Sequence, residues 1–292
     1  MKIVNQIKDC KACLVTLPDG TLINYYSGGS ETGQPVVLLH GGGTDHAMLS
    51  WRDTLPALIN SGYRTYAPDY PGYGNSPPDS NKKFTTDSLI HYLEGLIDYW
   101  GLKQVVLIGI SMGGSLALGY TLKNPKQVKR LVLISSYGLQ DKAPSHQLSY
   151  LYLKMPWLND LTWLMTRKLR LAAKYGVNYI IRNPQSRTES LIDEVMEAMR
   201  NKDAQIAFNQ WQKDEIRRDH LKTNYTSRLS EIEVPVLLIH GTHDFLVPLK
   251  YARRAALLFR NARLEVFNNA GHWTHRDYPE QFNKLLIEFL EQ

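Results

Sequence analysis

The chain has 292 residues, 43% of them hydrophobic and 21% charged, enough for a full core with room for an inserted segment. No apolar run approaches the ~20 residues of a membrane span, and Met1 to Asp9 is too mixed for a signal peptide, so a cytoplasmic protein with no membrane partner is expected. The net charge of +6 comes from scattered lysines and arginines; with no basic run or interleaved aromatic motif, no nucleic-acid partner is expected.

Cys10 and Cys13 have C-x-x-C spacing, but no second ligand pair is spaced for zinc, and the motif leads into a strand rather than opening a helix. Two reduced structural thiols follow. Ala12 to Leu17 and Thr21 to Tyr26 flank Pro18-Asp19-Gly20 and predict a β-hairpin. Val36 to Leu39 is apolar at every position, as a strand inside a parallel sheet must be. Trp51 to Asn60 predicts a helix, Tyr63 to Ala67 a strand, and Thr85 to Trp100 a helix with Leu89, Ile90, Leu93, Leu96 and Ile97 on one face. Val105 to Ile108 and Leu131 to Ile134 are further buried strands.

After Gly138 the rhythm changes. Until Arg228 no short β-branched run appears, and the pattern is helical, broken at Pro156 and Pro184 and dense in aromatic residues such as Trp157, Trp163, Phe208 and Trp211. Val236 to Ile239, a helix over Lys250 to Phe259, Leu264 to Phe267 and a helix from Pro279 then restore the alternation. The expected domains are an α/β core, 1–137 with 229–292, and a helical cap, 138–228. Eight strands and crossover helices predict an α/β fold with a mostly parallel sheet.

Gly109-Ile110-Ser111-Met112-Gly113 lies between a strand and a helix, the setting of a nucleophile elbow. Asp244 follows the strand Val236 to Ile239, and His272 follows the strand Leu264 to Phe267. Loops after parallel strands share one sheet edge, so these three residues can meet. Ser111 is the candidate nucleophile, His272 its base and later acid, and Asp244 the group that orients the imidazole. The Met112 N–H, at the start of a helix, and the Gly42 N–H are the candidate oxyanion donors, with Gly43 next in line. The histidines and carboxylates are not at metal-ligand spacings, and neither metal nor cofactor is expected.

The sequence resembles an α/β-hydrolase with a helical cap. The likeness rests on His40-Gly41-Gly42-Gly43, Asp69-Tyr70-Pro71-Gly72-Tyr73-Gly74-Asn75-Ser76, the Ser111 elbow, Gly241-Thr242-His243-Asp244, and Ala270-Gly271-His272-Trp273. Relatives of this fold that carry aspartate at the nucleophile position are dehalogenases and epoxide hydrolases; serine implies acyl transfer to water. Within the fold, part of the chain is similar to hydrolases that cleave carbon–carbon bonds in ring-fission products. Leu191-Ile192-Asp193-Glu194 leading to Arg200 resembles their segment with a substrate-binding arginine. That resemblance makes Arg200, Gly43 and Trp273 candidate substrate contacts. The chain departs from the subgroup where Ile110 and Trp51 stand in place of asparagine. The expectation is a cofactor-free carboxylesterase acting on small or medium esters through an acyl-enzyme on Ser111. Alternatives are a carbon–carbon bond hydrolase of meta-cleavage-type diketones and a ligand receptor that retains the triad.

Overall fold

The computed structural model describes residue 7 and residues 9–292. Eight strands form one sheet: β1 (Cys10–Thr16), β2 (Leu22–Gly28), β3 (Pro35–Leu39), β4 (Arg64–Pro68), β5 (Val105–Ile110), β6 (Val128–Ile134), β7 (Val236–Gly241) and β8 (Ala262–Phe267). Their order is β1-β2-β4-β3-β5-β6-β7-β8. β2 runs antiparallel to β1 and β4, and the other pairings are parallel. Every residue of β5 and β7 is buried, which explains the apolar runs Val105 to Ile108 and Val236 to Ile239. Alternate residues serve opposite faces. Val37, Leu39, Leu107, Leu133 and Leu238 enter one core, while Val36, Leu38, Ile108, Ile134 and Ile239 enter the other. Cys10 and Cys13 are free thiols on β1, and burial pushes the Cys10 thiol up to about 11.

The helices of the first half are α1 (Ala47–Trp51), α2 (Thr54–Asn60), α3 (Thr86–Tyr99) and α4 (Met112–Lys123). The single helix expected over Trp51 to Asn60 is two short ones. At the break, the Asp53 carboxylate receives the buried Arg276 guanidinium at 2.7 Å, and the Asp53 carbonyl accepts from Asn283 Nδ2 at 2.8 Å, out of a helical ladder. α3 begins at a capping box, in which Thr85 and Ser88 each accept from the other's backbone N–H.

Between β6 and β7 the chain is helical, with α5 (His146–Leu153), α6 (Pro156–Lys168), α7 (Arg170–Ile180), α8 (Glu189–Ala198) and α9 (Lys202–Glu215). α8 buries one face, with Leu191, Ile192 and Val195 inward. α10 (Lys250–Leu258), α11 (Thr274–Asp277) and α12 (Pro279–Glu291) complete the fold.

One buried carboxylate ties the inserted helices to the sheet. Glu215, at the end of α9, is fully buried. It accepts from the Thr86 hydroxyl at 2.6 Å, the Tyr137 hydroxyl at 3.1 Å, and the Thr223 hydroxyl and N–H at 2.8 and 3.0 Å. Trp211 Nε1 donates to the same Thr86 hydroxyl at 3.0 Å. A carboxylate this buried is tolerated because its lone pairs are taken up. Glu215→Ala strands those donors and is expected to cost about 3 kcal/mol. Urea unfolding checks it, and a loss below about 1 kcal/mol contradicts the anchoring role.

Candidate active site

Ser111 connects β5 to α4 with φ 51° and ψ −118°, in the region side chains avoid. The turn holds because strand and helix meet with no side chain between them. A Cβ on Gly109 would lie 2.3 Å from the Gly113 carbonyl oxygen, and one on Gly113 would lie 2.2 Å from that of Leu39. The Ser111 N–H donates to Ile134 O at 3.0 Å, and its carbonyl accepts from the Tyr137 N–H at 3.0 Å. The backbone is thereby fixed from both sides, and among the described residues the hydroxyl has no hydrogen-bond partner.

The sheet edge brings Asp244 and His272 together as expected. His272 Nδ1 lies 2.9 Å from Asp244 Oδ2, with both residues buried. The other carboxylate oxygen accepts from the Leu246 and Val247 N–H groups at 2.9 Å each. His240 Nε2 lies 3.3 Å from Oδ2. Burial alone would raise the Asp244 carboxyl, but His272 and then His240 outweigh it and hold the group far below the usual carboxylate range. Asp244 is thus an ionised acceptor that fixes the Nδ1–H tautomer and leaves Nε2 available as a base.

The loop Gly41-Gly42-Gly43, the candidate oxyanion loop, is shaped by two buried groups. His40 Nε2 accepts from the Tyr70 N–H at 3.2 Å, so Nδ1 carries the proton that it gives to Gly41 O at 2.7 Å. Burial pulls the His40 pKa down to about 3. Asp45 takes the Gly41 N–H at 2.7 Å and the Ser50 hydroxyl at 2.6 Å on one oxygen, and the His46 N–H at 2.9 Å on the other. Gly41 is therefore occupied. The Gly42 N–H has no acceptor among the described residues, and the Met112 N–H opens α4, where no helical acceptor exists. Gly43, at φ 74°, turns the loop away.

Phe208 of α9 covers this loop. A Cβ on Gly42 would fall 2.5 Å from the Phe208 ring. Phe208 stacks on Trp211 at 5.8 Å, and Trp211 meets Tyr137 edge-on at 4.8 Å. An aromatic column thus runs from the oxyanion loop to the Glu215 anchor. Aromatic density had pointed to this segment, but choosing Phe208 needed the tertiary contact. Asp277 was also missed. Burial raises its carboxyl, and it accepts from the Gly271 N–H at 2.5 Å and the Arg182 and Asn183 N–H groups at 2.7 Å each. It joins the His272 loop to the chain leaving α7.

The remaining candidates lie apart. Trp273 is buried in the core, and its N–H donates to Ile180 O at 3.1 Å. Arg200 is exposed and paired with Glu197 at 2.5 Å. It lines a cleft of about 480 Å³ with Thr44, His46, Asn75 and Asn201, but none of Ser111, Asp244 or His272 lines that cleft. His275 sits on α11, fully buried, its ring 5.0 Å from that of Trp51.

A family model described as the alpha/beta hydrolase fold matches residues 34–278. The chain belongs to that family and is a hydrolase. A 2-hydroxy-6-oxononadienedioate/2-hydroxy-6-oxononatrienedioate hydrolase of Cupriavidus pinatubonensis is 31% identical, with 94% of each chain covered. A protein of the same name (hydrolase 2) from Pseudomonas putida is 28% identical, with 91% of each covered. The solved meta-cleavage product hydrolase of Pseudomonas fluorescens IP01 superposes with a TM-score of 0.81 at 26% identity, over 96% of this chain and 97% of that one.

Two expectations follow from this geometry. Ser111→Ala is expected to fold normally and lose on the order of 10⁴-fold or more in kcat; unchanged turnover by that variant contradicts the assignment. The second concerns pH. His40 stays neutral in the folded chain down to about 3, whereas the unfolded chain protonates it at its ordinary 6.5. The unfolded state therefore binds the extra proton between those values, and the stability His40 contributes is full above 6.5 and lost as pH falls toward 3. Unfolding free energies between pH 6 and 5 should fall more steeply in the wild type than in His40→Asn, by up to about 1.4 kcal/mol per pH unit; equal slopes contradict neutral burial.

Proposed function

We propose that this protein is a serine hydrolase cleaving a carbon–carbon bond in a 2-hydroxy-6-oxo-dienoate, a vinylogous diketone. The observation that carries the reading is likeness to 2-hydroxy-6-oxononadienedioate hydrolases along more than nine-tenths of both chains. It favours the carbon–carbon alternative over the carboxylic ester expected first.

The chemistry suits the residues at the sheet edge. A carbon leaving group departs only as a stabilised anion. In such a substrate, the enol proton first moves to the carbon beside the 6-oxo group. Ser111 Oγ then adds to the 6-oxo carbonyl while His272 Nε2 takes its proton. The Gly42 and Met112 N–H groups receive the oxyanion, each worth ~3 kcal/mol in the transition state. The carbon–carbon bond breaks as the carbonyl re-forms, its electron pair passing through the conjugated double bond onto the 2-oxo oxygen, which the His272 proton neutralises. Water, deprotonated by His272, releases the acyl group from Ser111 as a carboxylic acid. Residues 138–228 act as a cap over this site, with Phe208 as the roof over the oxyanion loop.

Ester hydrolysis is the second reading, favoured by Ile110. This residue before the nucleophile is fully buried and apolar, and supplies no polar group to a diketone. An ester chain-length series run beside a vinylogous 2-hydroxy-6-oxo-dienoate separates the two. The expected result is a kcat/KM at least about tenfold higher for the diketone, a difference of about 1.4 kcal/mol. Fast turnover of esters with an inert diketone contradicts the proposal.

A further inference from the structure

The inserted helices carry an outer face that the hydrolase reaction does not use. α5 packs on α6, and α6 on α7, yet each also turns apolar side chains to solvent. On α6, Trp157, Leu161, Leu164 and Met165 are all exposed, Trp157 by 66%. Their spacing places them on one side of the helix. On α7, Leu171 and Tyr175 are one turn apart and 83% and 75% exposed; Tyr179, a turn further on, instead packs on Phe245 beside Asp244. On α5, Leu148 and Leu151 are exposed and three residues apart. The inward sides are already satisfied: Ala173 and Val177 of α7 are buried in the core. Single exposed apolar residues are ordinary, but three successive packed helices each showing such a stripe are not.

The charge of the same segment is one-sided. Residues 142–182 hold seven lysines and arginines against one aspartate, an excess equal to the net charge of the whole chain, +6. From α8, Glu189 and Asp193 engage Arg170, and Glu189 engages Lys174. Lys142, Lys154, Arg167 and Lys168 have no carboxylate within ion-pair distance among the described residues. The segment is therefore both apolar toward solvent and, through Lys142, Lys154, Arg167 and Lys168, unbalanced toward positive charge.

These two properties select the occupant. A second copy related by a twofold axis would set this face against itself, basic surface on basic surface. An anionic lipid surface satisfies both at once, taking the apolar stripe at the acyl boundary and the lysines and arginines among the headgroups. Exposed Trp157 and Tyr175 are of the type that sits at such boundaries. Among the described residues no helix is long and apolar enough to cross a membrane, so the contact is one of lying on the surface. We propose that the outer face of α5, α6 and α7 docks this enzyme onto anionic phospholipid bilayers. The proposal does not depend on which bond the active site cleaves.

The test is co-sedimentation of the full chain with sucrose-loaded vesicles of phosphatidylcholine, alone or mixed with phosphatidylglycerol. Binding is expected to the mixed vesicles, to weaken with added salt, and to be slight on phosphatidylcholine alone. The double variant Trp157→Ala, Leu161→Ala should bind at least about tenfold more weakly, and the triple variant Lys154→Glu, Arg167→Glu, Lys168→Glu should not sediment. Both should keep wild-type melting and turnover of a water-soluble substrate. The proposal is overturned if the folded wild type ignores anionic vesicles, or if both variants bind them as it does. It is equally overturned if sedimentation velocity shows a dimer that Trp157→Ala dissociates, which would assign the face to a second copy.

Discussion

The architecture depends on one close approach. β5 and α4 meet so tightly at Ser111 that backbone replaces side chain on both flanks, and Gly109 and Gly113 have no room for a methyl group. That approach forces Ser111 into a left-handed conformation that a serine adopts at a cost of order 1–3 kcal/mol. The surrounding bonds to Ile134 and Tyr137 hold it there. In return the hydroxyl stands clear of the backbone at the edge where β7 and β8 also end. Parallel strand order then brings Asp244 and His272 to the same edge, though they lie 133 and 161 positions beyond Ser111 in the chain.

Around that point the protein uses buried charge for positioning. Asp45 fixes the Gly41–Gly43 loop, Asp277 the His272 loop, and Glu215 the inserted helices. Among the described residues each is a carboxylate without a direct lysine or arginine salt bridge, held by hydroxyl and N–H donors. Such groups are costly unless every lone pair is met, so they tolerate little displacement of their neighbours. The aromatic column from Tyr137 through Trp211 to Phe208 carries that rigidity from the Glu215 anchor to Gly42. Placement of the Gly41–Gly43 loop is therefore a property of both the sheet and the inserted helices.

Local pattern made most of this fold legible. Strands β3, β5, β6 and β7 were visible as short apolar runs, because a parallel sheet buried on both faces leaves no polar alternation to confuse them, and the β1–β2 hairpin was visible from its Pro18-Asp19-Gly20 turn. The Ser–Asp–His order was visible because each residue follows a predicted strand. What stayed hidden depends on distant neighbours. The break between α1 and α2 exists because Arg276 and Asn283, more than 200 residues on, claim Asp53. Asp45, Glu215 and Asp277 look like surface carboxylates in sequence, since nothing local shows which N–H groups will surround them. Arg200 shows the reverse: its segment looked like a substrate clamp, and it lies in solvent beside Glu197. The outer stripes of α5 to α7 were hidden for another reason, because an apolar helical period does not say whether core or solvent lies opposite.

The central claim is that Ser111 is a nucleophile activated by the Asp244–His272 pair. Intact mass and peptide mapping after brief exposure to a fluorophosphonate test it most directly. The account predicts one adduct per chain, on Ser111, forming far more slowly in Asp244→Asn or His272→Ala. No adduct, an adduct on another residue, or equal labelling rates in all three proteins would contradict it.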